Sequence, residues 1–339
     1  MKQFLLLTLG LFLHHFTLVA QDSIPIPTKS IFSTLQSQEI TNVTIETNLD
    51  SLINYRNRNT YQRAIFTYEN KNGVLTTCKI KIKPRGKYRR KICDFPSIKL
   101  NFSKKELKAD GMAKYDDYKM VTHCLNDKKE SKENVLREYL VYKMYNLLSP
   151  KSYQVQCLNI TYIDSKGKIN RLKRTGFLIE DTGELEDRIG VEVHPEPKFP
   201  IDSFDIEQYN FVALFQYMIG NVDWRATPFV KNAKAMKVHG EDKYQLIPYD
   251  FDFSGVVGVS YMRIAEHLNQ KNKRQRIFLG HITRQKELKT NFERYESKKE
   301  ALLEYISNFD LLPKPSRKSI RKYIESFYED IADGTVSTM

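Results

Sequence analysis

The chain has 339 residues, a formal net charge of +13 at pH 7, and 41% hydrophobic and 12% aromatic residues. This composition excludes a disordered chain and suffices for two lobes or one large domain. The positive balance suits polyanions, anionic membrane surfaces or phosphorylated ligands, or else a generally basic solvated surface.

Met1-Lys2, the apolar run 4–13 and Leu18-Val19-Ala20 describe a secretory signal peptide over residues 1–20, with cleavage after Ala20. No later stretch is long and apolar enough to span a bilayer. The expectation is an exported protein, periplasmic or secreted, with no transmembrane segment after signal removal. Residues 21–40 read as a flexible lead-in. The four cysteines, Cys78, Cys93, Cys124 and Cys157, lack zinc-like spacing. They allow two disulfides in three pairings. Cys93–Cys124 is favoured, with buried free thiols as the alternative.

Residues 41–181 read as a mainly β lobe. Strands are expected at 43–47, 61–69, 74–83, 95–102 and 118–124, with a hairpin turn at Asn70-Lys71-Asn72-Gly73. Residues 84–91 form a turn dense in Arg and Lys, able to cover phosphates by charge, or else an exposed basic hairpin. A helix is expected over 132–148, capped by Ser131, with Val135, Glu138, Tyr139 and Tyr142 on one face. Glu138 interrupts an apolar stripe. In phosphoryl-transfer sites a helix Glu pairs with a strand Lys that holds phosphates. Lys99 is the favoured partner, with Lys81 and Lys83 competing; the plain alternative is a Glu reaching for water. Strands at 153–163 and 174–180 complete this lobe.

Residues 182–339 read as a mainly α lobe. Residues 191–201, with three prolines, read as a loop carrying His194. A helix over 203–219, capped by Asp202 or Ser203, delivers the chain to Asn221 and Asp223. Strands at 232–238 and 244–249 flank the turn-forming His239-Gly240-Glu241-Asp242. Their hairpin would return Asp250 and Asp252 to the neighbourhood of Asp223 and of Asn221 or Asn232. Clustered carboxylates repel unless a cation sits among them. The order Asp, Asn, hairpin, Asp-aromatic is that of phosphoryl-transfer sites. Two solvated acidic loops are the plain alternative. Basic residues collect at 271–276, and helices are expected over 283–307 and 316–332.

Four places give the chain a resemblance to the CotH-type spore-coat kinase-like family, and more distantly to HipA-type and secretory-pathway atypical kinases. They are Lys83-Pro84-Arg85-Gly86-Lys87 with Pro96 to Leu100, then Leu136-Arg137-Glu138, Gly220-Asn221-Val222-Asp223-Trp224, and Pro248-Tyr249-Asp250-Phe251-Asp252. The likeness covers roughly residues 80–255. It implies an α+β, two-lobed atypical protein-kinase-like fold, with an N-terminal antiparallel sheet carrying one helix and a mainly helical C-terminal lobe. It implies ATP with Mg²⁺ or Mn²⁺, and phosphoryl or nucleotidyl transfer to a protein hydroxyl; a monomer is expected. Asp223 would be the base or acceptor-orienting residue. Asp250, Asp252 and Asn232 would hold metal, and Arg85, Lys99 and Glu138 would hold the nucleotide. Asn232 departs from the usual spacing, lying nine residues after Asp223 rather than five. Either 224–230 bulges or Asn232 is not a ligand. A non-catalytic binding protein of the cell envelope and a basic polyanion binder are the alternatives; export weighs against nucleic acid.

Overall fold

The structure, a computed structural model, describes residues 29–70, 72–194, 198–281 and 285–338. The expected signal peptide and the first part of the lead-in lie outside the described residues. The rest of the lead-in is not loose. It forms helix α1 (Ile31–Leu35), whose Ile31, Phe32 and Leu35 are buried against the first core.

Seven strands close into a barrel: β1 (Ile40–Thr47), β2 (Gln62–Glu69), β3 (Leu75–Arg85), β4 (Ser97–Asn101), β5 (Asp117–Val121), β6 (Val155–Asp164) and β7 (Leu172–Ile179), in the order β1-β2-β3-β4-β5-β7-β6. Alternation along the strands sends Val43, Ile45, Phe66, Ile82, Leu100 and Tyr162 into its interior. Short helices α2 (Leu49–Asn54), α3 (Arg89–Ile92) and α4 (Lys104–Ala109) lie in its connections.

The closure overturns the expected kinase-like fold with an open antiparallel N-terminal sheet. β1 pairs antiparallel with β2 on one side and parallel with β6 on the other, Asn42 facing Asn159. These partners are 117 positions apart in the chain. No turn signal marks such a pairing, so hairpin logic leaves the edges of β1 and β6 unpaired. Closure satisfies both edges.

Helix α5 (Lys128–Leu148) follows β5. Its cap is Asp127, which accepts from the Glu130 amide at 2.7 Å, rather than Ser131. The helix is buried over most of its circumference, because it packs on β6 and β7 and also against helix α9 (Lys299–Ser307). After β7 come α6 (Thr182–Ile189), β8 (Val191–Val193), α7 (Ile206–Ile219), β9 (Ala233–Val238) and β10 (Tyr244–Pro248). Helix α7 is capped by Asp205 rather than by Asp202 or Ser203.

The C-terminal half therefore holds a sheet as well as helices. β8, β9 and β10 form three antiparallel strands, using residues expected to be loop at 191–193. The helix expected over 283–307 is broken into α8 (Gln285–Glu296) and α9, and α10 (Lys314–Ala332) follows. A second core, centred on α5, α7 and these helices, includes Leu140, Phe215, Trp224, Phe251 and Phe327.

Candidate active-site cleft

The strands at 233–238 and 244–248 pair as a hairpin, Ala233 opposite Pro248. Its base is extended by Tyr249, whose amide donates to the Asn232 carbonyl at 3.1 Å. Asn232 and Asp250 are thereby neighbours. The loop after α7 is stitched to the loop after β10 by two backbone bonds, Gly255 N–H to the Gly220 carbonyl at 3.0 Å and Val256 N–H to the Ile219 carbonyl at 3.1 Å. Gly220 ends α7 with φ of +66°, and a Cβ there would collide with the Tyr323 hydroxyl. Glycine is the residue that allows both the left-handed turn and this close approach.

Asp223 sits where these loops meet. Its carboxylate pairs with Lys231 and accepts from the Asn232 side-chain amide at 3.0 Å, and the same amide donates to the Asp223 carbonyl at 2.7 Å. Arg225 and Lys231 exchange backbone bonds, so residues 226–230 loop out. The bulge accounts for the long interval between Asp223 and Asn232 and brings the two together. Asn221 does a different job. It is buried, its amide donates to Gln216 at 2.9 Å, and its oxygen accepts from the Asp223 amide at 2.9 Å. It shapes the loop from below.

In Asp250-Phe251-Asp252 the aromatic is the anchor. Phe251 is fully buried, 4.7 Å from the Tyr142 ring and 5.6 Å from Phe215. Asp250 takes a left-handed φ of +65°, and its amide donates to the Tyr142 hydroxyl at 2.9 Å. Asn232 has a similar φ of +53°. Asn and Asp enter this region at lower cost than most side chains, and such residues gather at functional sites. Asp223, Asn232, Asp250 and Asp252 all line one cleft of about 490 Å³, facing Arg85 and the Gly86–Arg89 turn.

The partner of Glu138 is Arg89. One guanidinium reaches three elements: Nε donates to Asp252 at 3.0 Å, Nη1 to the Ser97 hydroxyl at 2.8 Å, and Nη2 to Glu138 at 3.4 Å. It ties α3 and β4 of the barrel to α5 and to the loop after β10. Two carboxylates share this one cation, and Glu138 Oε1 has no partner among the described residues. Burial is the main cause that pushes Glu138 up to about 8 and Asp252 up to about 6, with Arg89 opposing in each case.

Lys99 does not pair with Glu138. On β4, Ile98 and Leu100 point into the barrel, so Lys99 points out and pairs with Asp117. Lys83, another considered partner, lies over the Tyr61 ring at 4.5 Å.

Three residues of the cleft region escaped sequence reasoning. Arg89 was hidden inside a basic turn, and Lys231 stood beside Asn232 without a pattern of its own. Lys119, opposite Lys99 in the β4–β5 register, has no pattern of its own either. Its amine lies over the Tyr249 ring at 4.5 Å. Burial, then Arg85 and Lys234, lower it to about 7. Asp250 opposes the shift without cancelling it, and a cluster with an excess of cations favours an anion.

Among the described residues no three His, Cys, Asp or Glu side chains converge tightly enough to hold a metal ion by themselves. Mg²⁺ does not need such a cage, because it is often held by one or two carboxylates plus substrate phosphates and water. The residues fit that mode. No hydrogen bond reaches the Asp250 carboxylate among the described residues, and Asp252 gives only Oδ2 to Arg89. A scan against protein-family models finds no match, and a search of curated proteins finds no relative. Among the described residues no helix is long and apolar enough to cross a membrane.

Proposed function

We propose that the cleft binds ATP with a divalent cation and transfers a phosphoryl group to a hydroxyl of a protein acceptor. The observation that carries this reading is the meeting of Asp223, Asp250 and Asp252 with Asn232, Arg85 and Lys231 around one cavity. Carboxylates opposite cations, in a space of this size, suit a polyphosphate and its counter-ion. The order of motifs that resembles the CotH-type family supports the same chemistry.

Asp223 would orient the acceptor hydroxyl and take its proton as the oxygen attacks the γ-phosphorus. The bond from that phosphorus to the bridging oxygen breaks, and ADP leaves. Lys231, paired with the same carboxylate, would meet the charge on the transferred group. Asp250 and Asp252, with the Asn232 amide, would hold Mg²⁺ or Mn²⁺, which neutralises phosphate oxygens. Arg85 and Lys119 would steady the polyphosphate from the barrel side. Attack at the α-phosphorus by the same residues would give nucleotidyl transfer. This reading takes the protein to be exported and monomeric.

A second reading, a binding protein without catalysis, is favoured by the ion pair that already occupies Asp223. One experiment separates the two. The chain from residue 21 is melted with ATP and Mn²⁺ or Mg²⁺, beside Asp250→Ala, and ATP turnover is followed in parallel. At 100 times Kd the ligand adds about 2.7 kcal/mol, a rise of roughly 5 °C. A metal-dependent rise that Asp250→Ala loses, with turnover, supports the enzyme. The rise without turnover supports the binder. No rise in the folded parent sinks the enzyme and leaves a binding protein whose ligand is not ATP.

A further inference from the structure

Away from this cleft, β5 and β7 pair only from Lys119 to Val121 and then diverge. His123 lies at the divergence, 2% exposed and stacked on Phe95 at 4.4 Å between ring centres. Its Nδ1 has no hydrogen-bond partner among the described residues. The same holds for the hydroxyl of Tyr162, whose ring centre is 6.2 Å away, and for Nε of Arg174. Arg174 forms no ion pair among the described residues; its Nη1 donates to the Lys173 carbonyl at 3.1 Å. Burial, then Arg174, lower His123 to about 3, so the ring is neutral. Unsatisfied buried polar groups are costly, and the two of them that line one cavity, on His123 and Arg174, mark a place built to receive a polar partner.

His123 and Arg174 line a cavity of about 610 Å³ that lies against β1, β6 and β7. Its rim carries Lys128 and Lys132 from the first turns of α5, and Lys173 from β7. Glu69 is the one carboxylate among the lining residues. The balance calls for an anion.

The remaining wall is a shelf of small polar side chains. Thr67, Thr44 and Thr161 stand in register across β2, β1 and β6, and Asn42, Asn159 and Thr175 form the row beside them. Such a shelf offers hydroxyl and amide groups in two dimensions. It offers no Phe, Tyr or Trp among the lining residues on which a base could stack. We propose that this cavity binds an acidic saccharide, whose carboxylate or sulfate sits at Arg174 and His123 and whose hydroxyls lie on the threonine–asparagine shelf.

The test is calorimetric titration of the full chain with a heparin-derived sulfated oligosaccharide and with an oligogalacturonate, the two arms separating sulfate from carboxylate. Inorganic sulfate, neutral dextran and a duplex oligonucleotide serve as comparisons. At least one acidic saccharide is expected to bind tenfold or more tightly than sulfate and dextran. The exposed triple variant Lys128→Ala, Lys132→Ala, Lys173→Ala should lose tenfold or more. Arg174→Met should lose binding while melting cooperatively. Asp250→Ala should bind the saccharide as the parent does, which separates this site from the nucleotide cleft. The proposal is overturned if sulfate binds as well as the saccharides, if the duplex binds as tightly, if the triple variant is unaffected, or if neither saccharide binds.

Discussion

On one wall of the cleft, Arg89 stands between Glu138 and Asp252, with side chains 12%, 1% and 9% exposed. On the other, Lys231 pairs with Asp223 at 47% and 31% exposure. The first cluster sets two carboxyl groups against one guanidinium and is largely dry; the second pairs one charge with one and is wet. Charge pairs of the first kind hold position, because breaking them leaves a buried ion uncompensated. Those of the second kind are worth little to the fold and are free to change partners when a substrate arrives. The cleft thus combines a rigid clasp between barrel and helices with a looser pair where chemistry would occur.

The sharpest way to break this contrast is Arg89→Met. It strands two buried carboxylates and should cost about 3–5 kcal/mol in urea unfolding at pH 8. The loss should shrink at pH 5, where both acids can take protons. A loss under about 1 kcal/mol, typical of an exposed pair, would remove the distinction between the walls.

Glu138→Gln tests the same cluster through protons. Folded Glu138 titrates near 8, burial being the main cause, against an ordinary value of 4.5. Between those values the native state holds a proton that the unfolded chain releases, so its contribution to stability is full below pH 4.5 and lost as pH rises through 8. Asp252, raised from 3.8 to about 6, acts in the same direction at lower pH. Gln cannot titrate, so the melting temperature of the variant should fall less than the parent's between pH 5 and 8. Parallel curves would show that Glu138 is ionised throughout.

What could be read in advance follows from how local each feature is. The hairpin, the two Asp loops and the Cys93–Cys124 disulfide rest on turn residues, period-two alternation and short separations. Pairing of β1 with β6 has no local signature, and missing it turned a barrel into an open sheet. The partner of Glu138 was misread for a related reason. Periodicity says that Lys99 leaves the barrel, but not which barrel face α5 covers. Arg89 reaches Glu138 only because its turn packs at the end of β4 beside Ser97. A resemblance built on short motifs located the acidic loops without carrying the architecture around them.

Lys119→Met extends the comparison to the barrel side. Lys119 is lowered from 10.5 to about 7 by burial, then by Arg85 and Lys234. The native state therefore gives up a proton between pH 7 and 10.5 that the unfolded chain keeps. Stability should rise across that window and be least where the amine is charged. The variant should gain on the order of 1 kcal/mol at pH 7 and flatten the rise. It should also reduce the ATP-induced thermal shift. A gain in stability joined to a loss of binding is what a residue kept for its ligand does. Loss of both would mark Lys119 as structural.

The smallest effect on stability is expected from Asp223→Asn, and it is the most telling about function. The carboxylate is part of an exposed pair, and its backbone is fixed independently by Asn221 and by the Asn232 bond to its carbonyl. Asparagine keeps the shape and an acceptor oxygen, so unfolding should change by less than about 1 kcal/mol. Metal-dependent ATP binding should persist, since Asp250 and Asp252 remain. Phosphoryl transfer should fall by about 10²–10⁴, because the amide cannot take the acceptor proton. Unchanged turnover would remove Asp223 from the reaction and leave the wet wall of the cleft as a binding surface.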